Sequence, residues 1–589
     1  MTITDTHAAY LSGASTPGAR IEQALARIVG ADRPEIWIHR ADDDALRAQA
    51  RALDAVLAAE GAAALARLPL LGIPFAVKDN IDVAGMPTTA ACPAFAYVPE
   101  RSAPVVDKLV AAGALLVGKT NLDQFATGLV GTRSPYGAVR NAIDPDFVSG
   151  GSSSGSAVAV ALDMVDFALG TDTAGSGRVP AGLNGIVGLK PTRGLLSTRG
   201  VVPACRTLDC VSIFAADVAG AWKVLQVAAG HDALDPYSRR VPMRGVRRRG
   251  YRIAVPAQLE FFGDAAAQTA FEATLARLRG LPGCTFGAVD YTPFREAAAL
   301  LYQGPWVAER HAAVGAFIDA QPDAAHPVVA GIIGQGRHYG AADAFRGQYR
   351  LAALRRAAED ALADYDFLLV PTTPTMPRIA DVLERPVELN AQLGHYTNFV
   401  NFFDMAALAV PGQVRPDGLP AGVTLIGGAG SDHLLAAAAA ALLAGAHADA
   451  LAADPLPFSE PTVQVAVVGA HLEGQPLNWQ LLERGARKVA ATHTAPRYRL
   501  YALPGTTPPK PGLARVEGDG TAIAIEVWEL PLRRFGEFVA EIPPPLGIGA
   551  LELADGRWVK GFICEPAAIA SAEDISAFGG WRAYLQHST

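Results

Sequence analysis

The sequence predicts a large α/β domain followed by a smaller α+β domain, and three observations point there. Between residues 72 and 200, short apolar runs at 72–77, 113–117 and 167–170 alternate with Gly/Ser/Thr-rich turns and helical stretches, the pattern of a sheet with helices packed on it. Residues 266–280 and 341–364 carry apolar side chains at helical spacing, while 366–370, stopped by Pro371, reads as a buried strand. Past residues 449–462, where three prolines and three acids crowd together as a linker, β-like runs take over at 463–468, 498–503, 522–528 and 558–564. The division expected is therefore 1–448, a linker over 449–462, and 463–589.

The remaining elements follow in order. Residues 1–66 are rich in Ala and Arg, and Leu46, Ala50, Leu53, Val56 and Leu57 fall on one helix face. Residues 422–427 read as another strand, followed by an Ala/Leu helix to about Ala446. Half of the 589 residues are hydrophobic and 18% are charged, enough apolar surface for a large core and too little charge for a disordered chain. A net charge of −8 disfavours a protein that tracks nucleic-acid phosphates, which needs a basic face. The first eleven residues lack a basic stretch followed by an apolar one, and no apolar run approaches the roughly 20 residues of a membrane span. The five cysteines are scattered and never spaced as C-x-x-C, so they read as reduced thiols of a cytoplasmic protein with neither disulfide framework nor metal site.

Two motifs mislead. Gly113 to Thr120 matches G-x-x-x-x-G-K-[ST], but its central Ala-Leu-Leu-Val should extend as a buried strand, where a phosphate loop must curl its amides around an anion. Gly151-Ser152-Ser153-Ser154-Gly155 matches G-x-S-x-G, the nucleophile elbow of α/β-hydrolases. The elbow requires a strand before the turn, and residues 141–148 are polar and broken by proline, but histidines do follow later in the chain, so the α/β-hydrolase stays open as the runner-up reading.

All twelve histidines lie outside residues 40–230, the stretch richest in Ser and Gly loops, so a serine activated there has no histidine nearby in sequence. Lysine is scarce, and Lys78 closes an apolar run just before Asp79-Asn80. Desolvation lowers a lysine's pKa, and a neutral amine can serve as the base for a serine. Alone, Lys78 would read equally as a snorkelling or ion-paired side chain.

Two serine-bearing segments change that weighting: Gly150-Gly151-Ser152-Ser153-Ser154-Gly155-Ser156, and Gly170-Thr171-Asp172-Thr173-Ala174-Gly175-Ser176-Gly177-Arg178. With Lys119-Thr120-Asn121-Leu122-Asp123-Gln124-Phe125, Gly188-Leu189-Lys190-Pro191-Thr192 and Gly418-Leu419-Pro420-Ala421-Gly422-Val423, they resemble the amidase signature family over roughly residues 60–445. The resemblance implies a central mixed sheet covered by helices and no cofactor. It also implies a Ser–Ser–Lys triad with Ser176 as nucleophile, Ser152 as bridging serine and Lys78 as base. Backbone amides of Thr173, Ala174, Gly175 and Ser176 would form the oxyanion hole, and Asp172 and Arg178 are expected to pair and brace the loop. Ser154 stands where many relatives have glycine, which alters loop packing but touches no triad member.

Leu301-Tyr302-Gln303-Gly304-Pro305-Trp306-Val307-Ala308-Glu309-Arg310 resembles the segment that marks the allophanate hydrolases of that family, in which a tyrosine and an arginine hold the substrate. Tyr302 and Arg310 take those positions, and on one helix they would share nearly one face. Arg310 paired with Glu309 is the alternative. The tail, with Val467-Val468-Gly469-Ala470-His471-Leu472-Glu473-Gly474 and Tyr498-Arg499-Leu500-Tyr501, resembles the C-terminal domain of allophanate hydrolases, which is similar to the γ-glutamyl cyclotransferase fold. His471 reads equally as an acid titrating near the working range or as a cap on its loop. The resemblance implies a homodimer acting on a small anionic urea-like substrate, in urea or s-triazine nitrogen use. No biotin-carboxylase segment precedes it, so carboxylation of urea, or hydrolysis of biuret, is expected from associated chains. Another small-amide hydrolase of the same family and a component of an amidotransferase are the competing readings.

Overall fold

The computed structural model describes residues 1–241, 243, 250–444 and 461–588, which divide into two units. The expected linker falls outside the described residues up to residue 460; so does the end of the Ala/Leu helix, which is followed from Asp432 through Ala444.

The larger unit is built on a sheet whose strands, in chain order, are β1 (Trp37–Arg40), β2 (Pro74–Lys78), β3 (Leu115–Thr120), β4 (Phe167–Asp172), β5 (Val187–Lys190), β6 (Cys210–Ala215), β7 (Arg252–Pro256), β8 (Thr285–Val289), β9 (Phe367–Pro371), β10 (Met405–Pro411) and β11 (Gly422–Gly428). Across the sheet they run β1-β3-β2-β4-β6-β5-β10-β11-β9-β7-β8. The sheet is mixed: β2 is parallel to both β3 and β4, β7 is parallel to both β8 and β9, and antiparallel pairs join the rest. Every residue of β2 and β4 is buried, which is why these segments read as unbroken apolar runs instead of alternating ones. Because β2, β3 and β4 point the same way, Lys78, Thr120 and Asp172 end at one edge of the sheet, where open α/β folds place their ligands. The look-alike phosphate loop is β3, an extended strand.

Helices cover this frame. Asp43–Glu60 is capped by the Asp42 carboxylate, which accepts from Ala45 N, and it buries Leu46 and Ala50. Ser154–Ala161, made of small residues, is buried through Val160. The helices expected at 266–280 and 341–364 form as Ala265–Arg279 and Ala341–Leu362. All five cysteines are free thiols. Among the described residues no helix is long and apolar enough to cross a membrane.

The smaller unit is α+β. Strands β12 (Thr462–Val467), β13 (Arg487–His493), β16 (Ala524–Pro531), β17 (Leu546–Glu552) and β18 (Trp558–Cys564) form one sheet, and β14 (Tyr498–Ala502), β15 (Pro511–Arg515) and β19 (Glu573–Asp574) form another. Its core gathers Val465, Val467, Leu481, Tyr498, Trp528, Phe538 and Trp581.

Phe75 on β2 and Phe167 on β4 are register partners whose rings stack at 5.0 Å, both fully buried beneath the sheet edge just described. Phe167→Ala should cost about 3–5 kcal/mol of stability, read from urea denaturation, because the cavity left in so tightly held a sheet cannot collapse.

Candidate active site

Lys78 ends β2 with its side chain buried, and its amine donates to Ser152 Oγ and to Thr171 Oγ1, each at 2.7 Å. Among the described residues no carboxylate lies within ion-pair distance of it. Burial therefore governs the amine and pulls its pKa down to about 7, against the longer-range attraction of Asp123, Asp172 and Asp209. The geometry brings Lys78 and Ser152 together as expected. Thr171 stands in the quoted motif, yet sequence reasoning gave it no role.

Ser152 follows a cis peptide at Gly151, and its carbonyl accepts from Asp123 N at 3.1 Å. The Asp123 carboxylate in turn collects the amides of Val130, Gly131 and Arg133 at 3.0–3.1 Å. Ser153, the serine an α/β-hydrolase elbow would use, donates to Thr171 O at 3.1 Å and accepts from Thr171 N at 3.2 Å. That pair stitches one serine loop to the strand that leads into the other.

The second loop hangs on Asp172. Its carboxylate accepts from Gly175 N at 2.8 Å, Gly177 N at 3.0 Å, and Arg178 Nε and Nη2 at 2.8 and 2.9 Å. Burial alone would raise this acid's pKa, but the bidentate guanidinium and the amides overcome it and hold the carboxyl below its ordinary value. The expected brace is thus in place. Asn401 Nδ2 holds Asp172 O at 2.8 Å, and Arg178 Nη2 reaches Thr397 O. Gly175 has φ +140°, and a Cβ there would sit 2.4 Å from Thr397 Oγ1, so only glycine fits.

Ser176 lies between the two amides pinned by Asp172 and is 4% exposed. This pinning corrects the oxyanion expectation: the Gly175 amide is spent on Asp172 and cannot face a substrate. Among the described residues the amides of Thr173, Ala174 and Ser176 make no hydrogen bond. Thr173 is fixed through its hydroxyl, which donates to Asp209 Oδ1 at 2.5 Å. Asp209, buried and also receiving the amides of Ala204 and Cys205, has its pKa pushed up to about 6 by burial. No sequence signal pointed to it.

Tyr302 and Arg310 do not share a helix. Thr292–Gln303 stops, Gly304 is extended, and Trp306–Ala320 begins after Pro305, which lacks an amide hydrogen and disfavours helical backbone before it. The two side chains still meet: Arg310 Cζ stands 5.3 Å from the centre of the Tyr302 ring, a cation–π contact. Arg310 is 2% exposed, its Nη1 donates to Thr127 Oγ1 at 3.0 Å, and its Nε has no partner. Glu309, the alternative partner, accepts from Thr207 N and Oγ1 instead. Among the described residues no carboxylate lies within ion-pair distance of this buried guanidinium, and Asp209 and Glu309 act on it only at longer range.

In the smaller unit His471 stacks on Phe562 at 5.0 Å, and its Nε2 is 2.7 Å from Gln480 Oε1. Burial drops its pKa to about 4, with Lys510 and Arg484 pushing the same way, so the ring is neutral at pH 7. The expectation of an acid titrating near the working range is corrected: burial overrides the hydrogen bond from which imidazolium would benefit. Among the described residues no cluster of three or more His, Cys, Asp or Glu could hold a metal ion.

The fold is that of an amidase. A family profile described as Amidase matches residues 19–436, and one described as Allophanate hydrolase C-terminal domain matches residues 463–586. The solved allophanate hydrolase of Kluyveromyces lactis is 41% identical, with a TM-score of 0.86, the match covering 100% of this chain and 99% of that one. The urea amidolyase of Lachancea kluyveri is 45% identical over 545 residues, 88% of this chain, which spans only 30% of that longer protein. A glutamyl-tRNA(Gln) amidotransferase subunit from Halobacterium salinarum is 35% identical over 405 residues, covering 64% of this chain and 95% of its own. The chain belongs to the amidase family and carries the C-terminal domain of allophanate hydrolases.

Arg178→Leu should destabilise the protein by about 3–5 kcal/mol, measured by chemical denaturation, because it leaves the Asp172 carboxylate buried without its cation.

Proposed function

We propose that the protein hydrolyses allophanate to ammonia and carbon dioxide, with Ser176, Ser152 and Lys78 as the catalytic triad of the larger unit. The observation that carries the substrate is Arg310, a buried guanidinium without a carboxylate partner, lying over Tyr302. Allophanate is a small planar urea with a carboxylate at one end, and a guanidinium fork binds a carboxylate through two parallel hydrogen bonds. The observation that carries the chemistry is Lys78, whose pKa burial pulls down to about 7 and whose amine is bonded to Ser152.

In this reading neutral Lys78 accepts the proton of Ser152, which accepts that of Ser176 as its oxygen attacks the terminal amide carbonyl. Amides of Thr173, Ala174 and Ser176 receive the oxyanion. The proton returns to the leaving nitrogen as ammonia departs, and water releases N-carboxycarbamate from the acyl-enzyme. The C-terminal domain, residues 463–589 beyond the 449–462 linker, then assists decarboxylation. A dianion beside His471 favours its charged form, so the imidazole becomes an acid only with substrate present. The reading includes a cytoplasmic homodimer supplied with allophanate by an associated enzyme that carboxylates urea or hydrolyses biuret. Its support is the match to the Kluyveromyces lactis allophanate hydrolase over the whole chain and to the allophanate hydrolase C-terminal profile, whereas the amidotransferase relative matches 64% of the chain.

Ammonia release from freshly prepared allophanate, set beside biuret, malonamide and a neutral aryl amide, tests the assignment; preference for the neutral amide would overturn it. Ser176→Ala should abolish turnover with the fold intact. Arg310→Leu should raise KM for allophanate at least tenfold while leaving residual action on neutral amides. Activity should also rise with pH through about 7, since the protonated Lys78 below that value has no lone pair to offer. A profile flat from pH 5.5 to 8.5 would exclude the lysine as base.

A further inference from the structure

The smaller unit carries a partly open pocket of about 180 Å3 whose wall includes Gly469, His471, Gln480, Lys510, Glu541 and Phe562. Its charges can be followed one at a time. The Glu541 carboxylate accepts from Arg484 Nη2 at 2.5 Å and from Gln480 Nε2 at 3.4 Å, so it is neutralised within the wall. His471 is held by Gln480 through its ring and by Asn478 Nδ2 through its carbonyl, and is uncharged. Lys510 differs. Its backbone is fixed on both sides, with its amide donating to Thr506 Oγ1 at 3.0 Å and its carbonyl accepting from Leu503 N at 3.1 Å, just before β15 begins at Pro511. Among the described residues no carboxylate lies within 4 Å of its ammonium. The cavity therefore presents one uncompensated positive charge beside apolar side chains, Ile542 and Leu546 among them.

We propose that Lys510 is the specificity-determining residue of this cavity, binding through its ammonium the carboxylate that N-carboxycarbamate retains when it loses carbon dioxide. This rests on the reading that the C-terminal domain decarboxylates that compound. In the step, the bond between nitrogen and one carboxylate carbon breaks, the electron pair stays on nitrogen, and nitrogen takes a proton from His471, whose charged form the bound dianion favours. Carbon dioxide leaves and carbamate remains. The departing group loses its charge and suits the apolar wall, whereas the retained carboxylate keeps its charge and needs a cation. An ammonium at one point of an otherwise neutral cavity supplies that asymmetry, and it selects a doubly carboxylated amine over urea or a neutral amide.

Rapid-quench single turnovers of the full chain on allophanate, with ammonia and carbon dioxide followed separately, test this. Lys510→Met and Lys510→Gln should release the first ammonia within twofold of the parent rate, while carbon dioxide slows at least tenfold, toward the rate of free N-carboxycarbamate in buffer. Lys510→Arg should stay within about threefold. If carbon dioxide keeps pace in both neutral variants while His471→Ala lags, Lys510 does not bind the carboxylate. If Lys510→Arg lags as much as Lys510→Met, the charge is not what matters and the proposal falls. If His471→Ala also keeps pace, the decarboxylating role of the domain fails instead.

Discussion

A primary amine buried among hydroxyls, with its carboxylates held at a distance, is the constraint on which the larger unit is built. Burial could not pull the Lys78 pKa down to about 7 if Asp123, Asp172 or Asp209 touched it, since a direct ion pair would hold it as ammonium. Each of these acids is occupied elsewhere: Asp123 by the amides of its own loop, Asp172 by Arg178, and Asp209 by Thr173 and two amides. The same bonds that keep the acids away shape the loops carrying Ser152 and Ser176. Electrostatics and loop geometry are one arrangement.

The sheet makes that arrangement possible. Three parallel neighbours, β2, β3 and β4, deliver Lys78, the Asp123 loop and the Asp172 loop to one edge, although they are separated by dozens of residues in the chain. Arg310 reaches the Asp123 loop at Thr127, so the guanidinium and the serine loops are connected through one short segment.

Much of this was legible in the sequence. Buried strands such as β2 and β9 announced themselves as apolar runs stopped by polar or proline residues, and the Asp172–Arg178 brace followed from two charges flanking a glycine-rich loop. What escaped notice depends on distance along the chain. Thr127 and Asp209 carry no local signature, and their roles exist only once the fold sets them beside Arg310 and Thr173. The direction of the Gly175 amide and the depressed pKa of His471 likewise follow from burial, which spacing cannot report. The break at Gly304-Pro305 is written in the sequence, but a spacing of eight residues fits two turns of an unbroken helix equally well.

That break separates the phenol from the guanidinium mechanically. Had both stood on a continuous helix, their spacing would be fixed by helical geometry, and only side-chain replacement could alter it. Hinged at a two-residue joint, they can be re-angled by lengthening or shortening the joint itself. Indels there would change how the phenol and the guanidinium face each other while leaving both residues in place.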